Sequence, residues 1–178
     1  MTDFTEKRLS GEQVFAGKLL DVRRDVVRLP DGGEAVREYV RHPGAVLVVP
    51  LLEGPRVVLV RQFRYPHGRD FVELPAGKLE PGEPRLESAK RELAEETGYT
   101  AAEWRRLGVI HPSVGYTDEA IELWLAKGLS PGVQRPDGEE FLEVLELPLE
   151  EALARVRDGR ITDAKTVVAL LWLQAFPL

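Results

Sequence analysis

From Gly77 to Tyr99 the chain reads GKLEPGEPRLESAKRELAEETGY, and this stretch constrains the rest. A short Gly/Pro loop runs into a helix that begins near Pro84 or Arg85, because proline suits a first helical turn. Leu86, Ala89 and Leu93 form its apolar stripe, and Gly98 is placed to stop it. Its last turn gathers Glu92, Glu95 and Glu96. Residues three and four apart share a helix face, so these carboxylates repel one another. They also lie at the end of the helix where the macrodipole disfavours anions. A cation relieves both penalties. Hard divalent ions such as Mg²⁺ take oxygen ligands and work beside substrate phosphates. Burying the stripe holds the carboxylates at a cleft edge, which points to a metal site for phosphate chemistry.

The remainder bounds the setting. The 178 residues suit one domain with a substantial core, and 43% hydrophobic with 30% charged residues suit a globular chain. A net charge of -6 argues against broad nucleic-acid or anionic-membrane binding. The chain has no cysteine, hence neither disulfides nor thiolate chemistry, and its N-terminus shows no apolar leader segment. Apolar runs are too short to span a bilayer. A cytoplasmic protein is expected.

Residues from Val14 to about Arg41 read as β-structure with a turn at Pro30–Gly33. Ala45–Leu52 is a continuous apolar run, as in a buried strand. Arg56–Arg64, Phe71–Leu74, Trp104–Ile110, Ala120–Ala126 and Phe141–Leu147 are further expected strands, with a polar loop over Ser130–Glu140. Leu149, Ala152, Leu153 and Val156 have helical spacing, and a last helix is expected from about Asp163 to Ala175. The class is α/β (α+β), a mixed sheet flanked by helices. His42, His67 and His111 do not cluster by spacing, and Trp104, Trp124 and Trp172 read as packing residues.

Gly77, Glu83, Arg91-Glu92-Leu93, Glu95-Glu96 and Gly98-Tyr99 fill every defined position of a 23-residue signature and resemble the complete Nudix box. A solvated acidic surface helix, the usual meaning of a charge run, leaves the register of Gly77, Glu83 and Arg91 unexplained. Outside the box, Arg41–Ala45, Val60–Arg64, Glu73–Gly77, Pro112–Glu119 and Ile161–Thr166 are similar to the ADP-ribose pyrophosphatase branch. Ser113-Val114 stands where some members have Pro-Gly.

That resemblance implies an α/β/α sandwich, with residues 1–43 as an N-terminal β-region at a homodimer interface and 44–178 as the hydrolase domain. It implies Mg²⁺, or Mn²⁺ or another divalent ion in its place, held by Glu92 and Glu96 with Glu95 and the Ala76 carbonyl assisting. Arg91 would pair with Glu83 and hold the loop to the helix. Glu140, with Glu139 in reserve, would position or deprotonate the attacking water. Arg64 is a candidate phosphate or ribose ligand, since a guanidinium fork matches phosphate oxygens. Arg37 would reach substrate or a neighbouring subunit. Glu73 would support substrate or metal, or is a plain strand-end acid. Pro112 joins the substrate-binding candidates. The expected reaction converts ADP-ribose and water to AMP and ribose 5-phosphate. A nucleotide sugar such as GDP-mannose is the alternative substrate, and a catalytically silent ADP-ribose sensor the alternative class.

Overall fold

A computed structural model of the chain describes residues 2–138 and 140–176. Two compact units emerge, one of Met1–Gly44 with Ser113–Glu119, the other of Ala45–Pro112 with Ala120–Leu178. Among the described residues no helix is long and apolar enough to cross a membrane.

The first unit is a three-stranded antiparallel sheet of β1 (Lys7–Ala16), β2 (Asp21–Arg28) and β3 (Glu34–Arg41). The expected turn at Pro30–Gly33 closes the β2–β3 hairpin, with Gly33 O accepting from the Leu29 N–H at 2.8 Å. β-Structure begins at Lys7, earlier than the expected Val14. All ten β1 residues are exposed, so no inside–outside alternation marks the strand in the sequence. Segment Ser113–Glu119 is tied to β3 through the Val40 N–H to Tyr116 O and the His42 N–H to Asp118 Oδ1, at 2.8 and 2.7 Å.

The second unit is a seven-stranded mixed sheet between helical layers. β4 (Ala45–Leu52), β5 (Arg56–Arg64), β9 (Ile121–Pro131), β8 (Tyr99–Ile110) and β10 (Leu142–Pro148) run in the order β10-β5-β4-β9-β8. β4 and β9 are parallel, and the other pairs are antiparallel. The continuous apolar run of β4 follows from burial on both faces. Val46 and Val48 pack with Ala89 and Leu93 of α1 (Arg85–Thr97). Leu47 and Val49 belong to the opposite core, with Ala152 and Leu153 of α2 (Leu149–Arg157) and Ala169, Leu170 and Leu173 of α3 (Ala164–Ala175).

β4 and β5 pair with each other only at their hairpin end, Leu51 with Val57 and Leu52 with Arg56. Farther along, β5 pairs with β6 (Arg69–Glu73) and β4 with β7 (Ala76–Lys78). The short link Leu74-Pro75 bridges this divergence, and the expected Pro75–Gly77 loop is in part strand β7. Two other boundaries move. β8 begins at Tyr99 rather than Trp104, and β9 continues to Pro131, into the segment expected as loop.

Gly98 ends α1 at φ 75°, and its N–H donates to Ala94 O at 2.9 Å. A Cβ there would lie 2.7 Å from the Gln134 nitrogen. Gly98→Ala therefore carries the left-handed penalty of about 1–2 kcal/mol plus a backbone clash. Thermal melting should show a midpoint lowered by at least roughly 2–8 °C.

Candidate active site

The divergence of β4 and β5 determines what α1 faces. β7 lies beside β4, with Ala76 opposite Leu47 and Gly77 opposite Val46, and α1 packs across them. The Ala76 N–H donates to Oε2 of Glu96 at 3.1 Å. A Cβ on Gly77 would fall 1.9 Å from Oε1 of Glu92, so any side chain there would push that carboxylate from its place. Glu92 and Glu96 are 9% and 3% exposed, whereas Glu95 is half-buried. Burial pushes the Glu92 carboxyl up to about 7, against the opposing pull of Arg91. Burial and then the charge of Glu92 push Glu96 up to about 8.

Arg91 is the hub beside them. It donates to both oxygens of Glu83 at 2.9 and 3.0 Å, to Glu92 at 2.8 Å, to Glu95 at 3.0 Å and to Lys78 O at 3.3 Å. These bonds join the loop after β7 to the helix. The Arg91 hydrogen bond is the main reason that Glu83 is held down at about 2.

A second charged cluster surrounds Glu73, which is 2% exposed at the end of β6. Arg64 donates to its two oxygens at 2.7 and 2.6 Å, and Lys165 Nζ at 2.5 Å. Burial raises the Glu73 carboxyl, but these two cations outweigh it and hold the group below its ordinary value. Lys165 also pairs with Asp163 at 2.9 Å, and Asp163 caps α3 by accepting from the Thr166 N–H at 3.0 Å. Thr166 Oγ1 in turn accepts from the Leu74 N–H at 2.8 Å. The start of α3 is thus fastened to the strand end that precedes Ala76. Lys165 and Thr166 had only their place in the similar segment Ile161–Thr166 to mark them, since their partners lie 92 residues away.

Glu140 is exposed, and its N–H closes a turn onto Asp137 O at 2.8 Å. Its charge acts on both Glu92 and Glu96, and that of Arg64 acts on Glu140 and Glu96. Burial and then Asp137 raise its own carboxyl. Glu139 lies outside the described residues. In the first unit, Arg37 on β3 donates to Glu6 at 2.9 and 2.5 Å. Pro112 is exposed just beyond β8.

Among the described residues no group of three or more His, Cys, Asp or Glu side chains is arranged to hold a metal ion by itself. The donor set is two buried carboxylates one helical turn apart, with the half-buried Glu95 beside them, all of them oxygen donors. That suits a hard divalent ion completed by waters and substrate phosphate. The cradle that a Gly77 side chain would fill fits the same demand.

The sign of the pH dependence follows. Glu92 and Glu96 titrate near 7 and 8 in the fold against 4.5 in a free chain, so between those values the folded state holds more protons. Stability of the metal-free protein should therefore fall as pH rises from about 4.5 through about 8. Calorimetry in chelator should show the midpoint dropping across this window, and added Mg²⁺ should raise it most at the alkaline end. A rising midpoint in chelator contradicts the assignment.

Residues 41–170 match the NUDIX domain, and residues 6–40 match the nucleoside diphosphate sugar hydrolase N-terminal domain. A methanol dehydrogenase activator from Bacillus methanolicus is 44% identical over 96% of this chain and 94% of its own. An ADP-ribose pyrophosphatase from Bacillus subtilis (strain 168) is 43% identical over 98% of this chain and 95% of its own. The crystal structure of an ADP compounds hydrolase superposes with a TM-score of 0.86 at 25% identity, covering 96% of this chain and 92% of that one. With the glutamate turn, the glycine cradle and both matched segments in one chain, this protein belongs to the Nudix family of hydrolases.

Proposed function

We propose that the chain is a cytoplasmic homodimer that hydrolyses the diphosphate bond of ADP-ribose, with Mg²⁺, to AMP and ribose 5-phosphate. The observation that carries the reading is the pair Glu92 and Glu96, buried beside Gly77 with carboxyls raised toward neutrality. The substrate follows from the near-full-length similarity to an ADP-ribose pyrophosphatase.

Glu92 and Glu96, with Glu95 and the Ala76 carbonyl, would hold the ion. When bound, it supplies charge screening at the diphosphate and a more acidic water. Arg64 spends Nε and Nη2 on Glu73, which leaves Nη1 to donate to a phosphate oxygen. Glu73 and Lys165 keep that guanidinium in one orientation. Arg91 keeps Glu92 and Glu95 on the loop side of the helix. Glu140 accepts the proton as the water oxygen attacks phosphorus and the bridging P–O bond breaks. The second protomer would dock along β1, whose exposed residues include Leu9, Val14 and Phe15.

Purified protein with ADP-ribose and Mg²⁺ should yield AMP and ribose 5-phosphate by mass spectrometry, in preference to cleavage of GDP-mannose. Turnover of GDP-mannose alone removes the substrate assignment. Ligand binding without turnover favours a sensor. Glu96→Gln should lower kcat by roughly 100-fold or more while circular dichroism stays unchanged. Light scattering should give twice the chain mass, and Phe15→Asp should shift it toward a monomer.

A further inference from the structure

The last carbonyls of a helix have no partner within it, and on α1 these belong to the residues that carry the acidic turn. Ala94 O accepts from the Gly98 N–H. Glu95 O accepts from the Arg135 N–H at 3.0 Å, and Glu96 O from the Gln134 side-chain amide at 2.7 Å. Two of the closing donors therefore come from the segment that leads to Glu140. The same Gln134 nitrogen reaches Leu142 O at 3.5 Å, two residues beyond Glu140. One side-chain amide thus touches the main chain of Glu96 and the first residue of β10.

The crossing is close enough to exclude side chains. A Cβ on Gly98 would lie 2.7 Å from the main-chain nitrogen of Gln134, and one on Gly132 would lie 2.8 Å from Gly98 O. Arg135 contributes only its main-chain N–H here, so Gln134 supplies the side-chain link. Glu140 itself is exposed on a loop, where its placement depends on how the flanks are held.

We propose that Gln134 is a positioning residue, clasping the segment that carries Glu140 to the acidic turn of α1. The inference rests on the reading of Glu140 as proton acceptor. A carboxylate tethered at both flanks stays at the distance from Glu92 and Glu96 that the reaction requires, whereas a free loop spreads it over many positions. Displacements of about 1 Å are enough to cost up to about 100-fold in rate.

The test measures kcat and KM for ADP-ribose in Mg²⁺ for the full chain, Gln134→Leu, Glu140→Gln and the double variant. Amide exchange at Arg135 and a thermal melt accompany each. Gln134→Leu should lower kcat about 10- to 100-fold with KM unchanged and speed exchange at Arg135. In the Glu140→Gln background the same substitution should lower kcat no further, which a loss of general stability would not reproduce. Gln134→Met, with an unbranched chain of similar length, replaces the leucine variant if the latter melts below the assay temperature. Wild-type kcat in the Gln134 variant beside a disabled Glu140→Gln overturns the inference alone, as does an equal loss in both backgrounds. Wild-type turnover by Glu140→Gln overturns the role of Glu140 and the inference with it.

Discussion

Ala89 and Leu93, sealed against Val46 and Val48, hold α1 on the sheet, and the site depends on that contact. Burying one leucine contributes about 1.5–3 kcal/mol. Like charges one turn apart on an exposed helix cost about 0.2–0.5 kcal/mol. An anion at an exposed C-terminal turn costs about 0.3–1 kcal/mol. Packing wins, so the helix forms with Glu92 and Glu96 already gathered. What packing leaves uncompensated is the burial of the charges themselves. That cost is visible in carboxyls raised to about 7 and 8, and the divalent cation proposed for the site would reverse it.

Two arginines manage the surrounding charge in different ways. Arg91 is enclosed by acids of the same motif and serves the loop, joining Glu83 to Glu92 and Glu95. Arg64 rests on a single buried carboxylate that Lys165 shares, which leaves part of its fork unoccupied. One guanidinium is a structural rivet, and the other is the one proposed to meet an anion. Their distinction lies in how many carboxylates each already serves, since both are arginines on the same sheet-and-helix unit.

Much of this was legible in the residues. The apolar run Ala45–Leu52 is a strand buried on both faces, and the stripe Leu86, Ala89 and Leu93 marks the helix that carries the acids. Gly98 ends that helix, and the last one starts beside Asp163 as expected. The start of β1, before Val14, was not legible, because an exposed strand has no alternation to read. β7 was hidden within a Gly/Pro stretch, where strand character comes only from pairing with β4. Lys165, Thr166 and Gln134 escaped for a related reason. Their importance comes from partners 92, 92 and 38 positions away, and local spacing carries no trace of such pairs.

The missing side chain at Gly77 limits how this sequence can drift. Most sites are specified by functional groups, and one group can often replace another of similar chemistry. At residue 77 the specification is by volume, because the Glu92 carboxylate occupies the place a methyl group would take. A larger residue here could be housed only by moving the Glu92 carboxylate, so drift at this position acts directly on the acidic turn, and the loop's other residues are freer to vary.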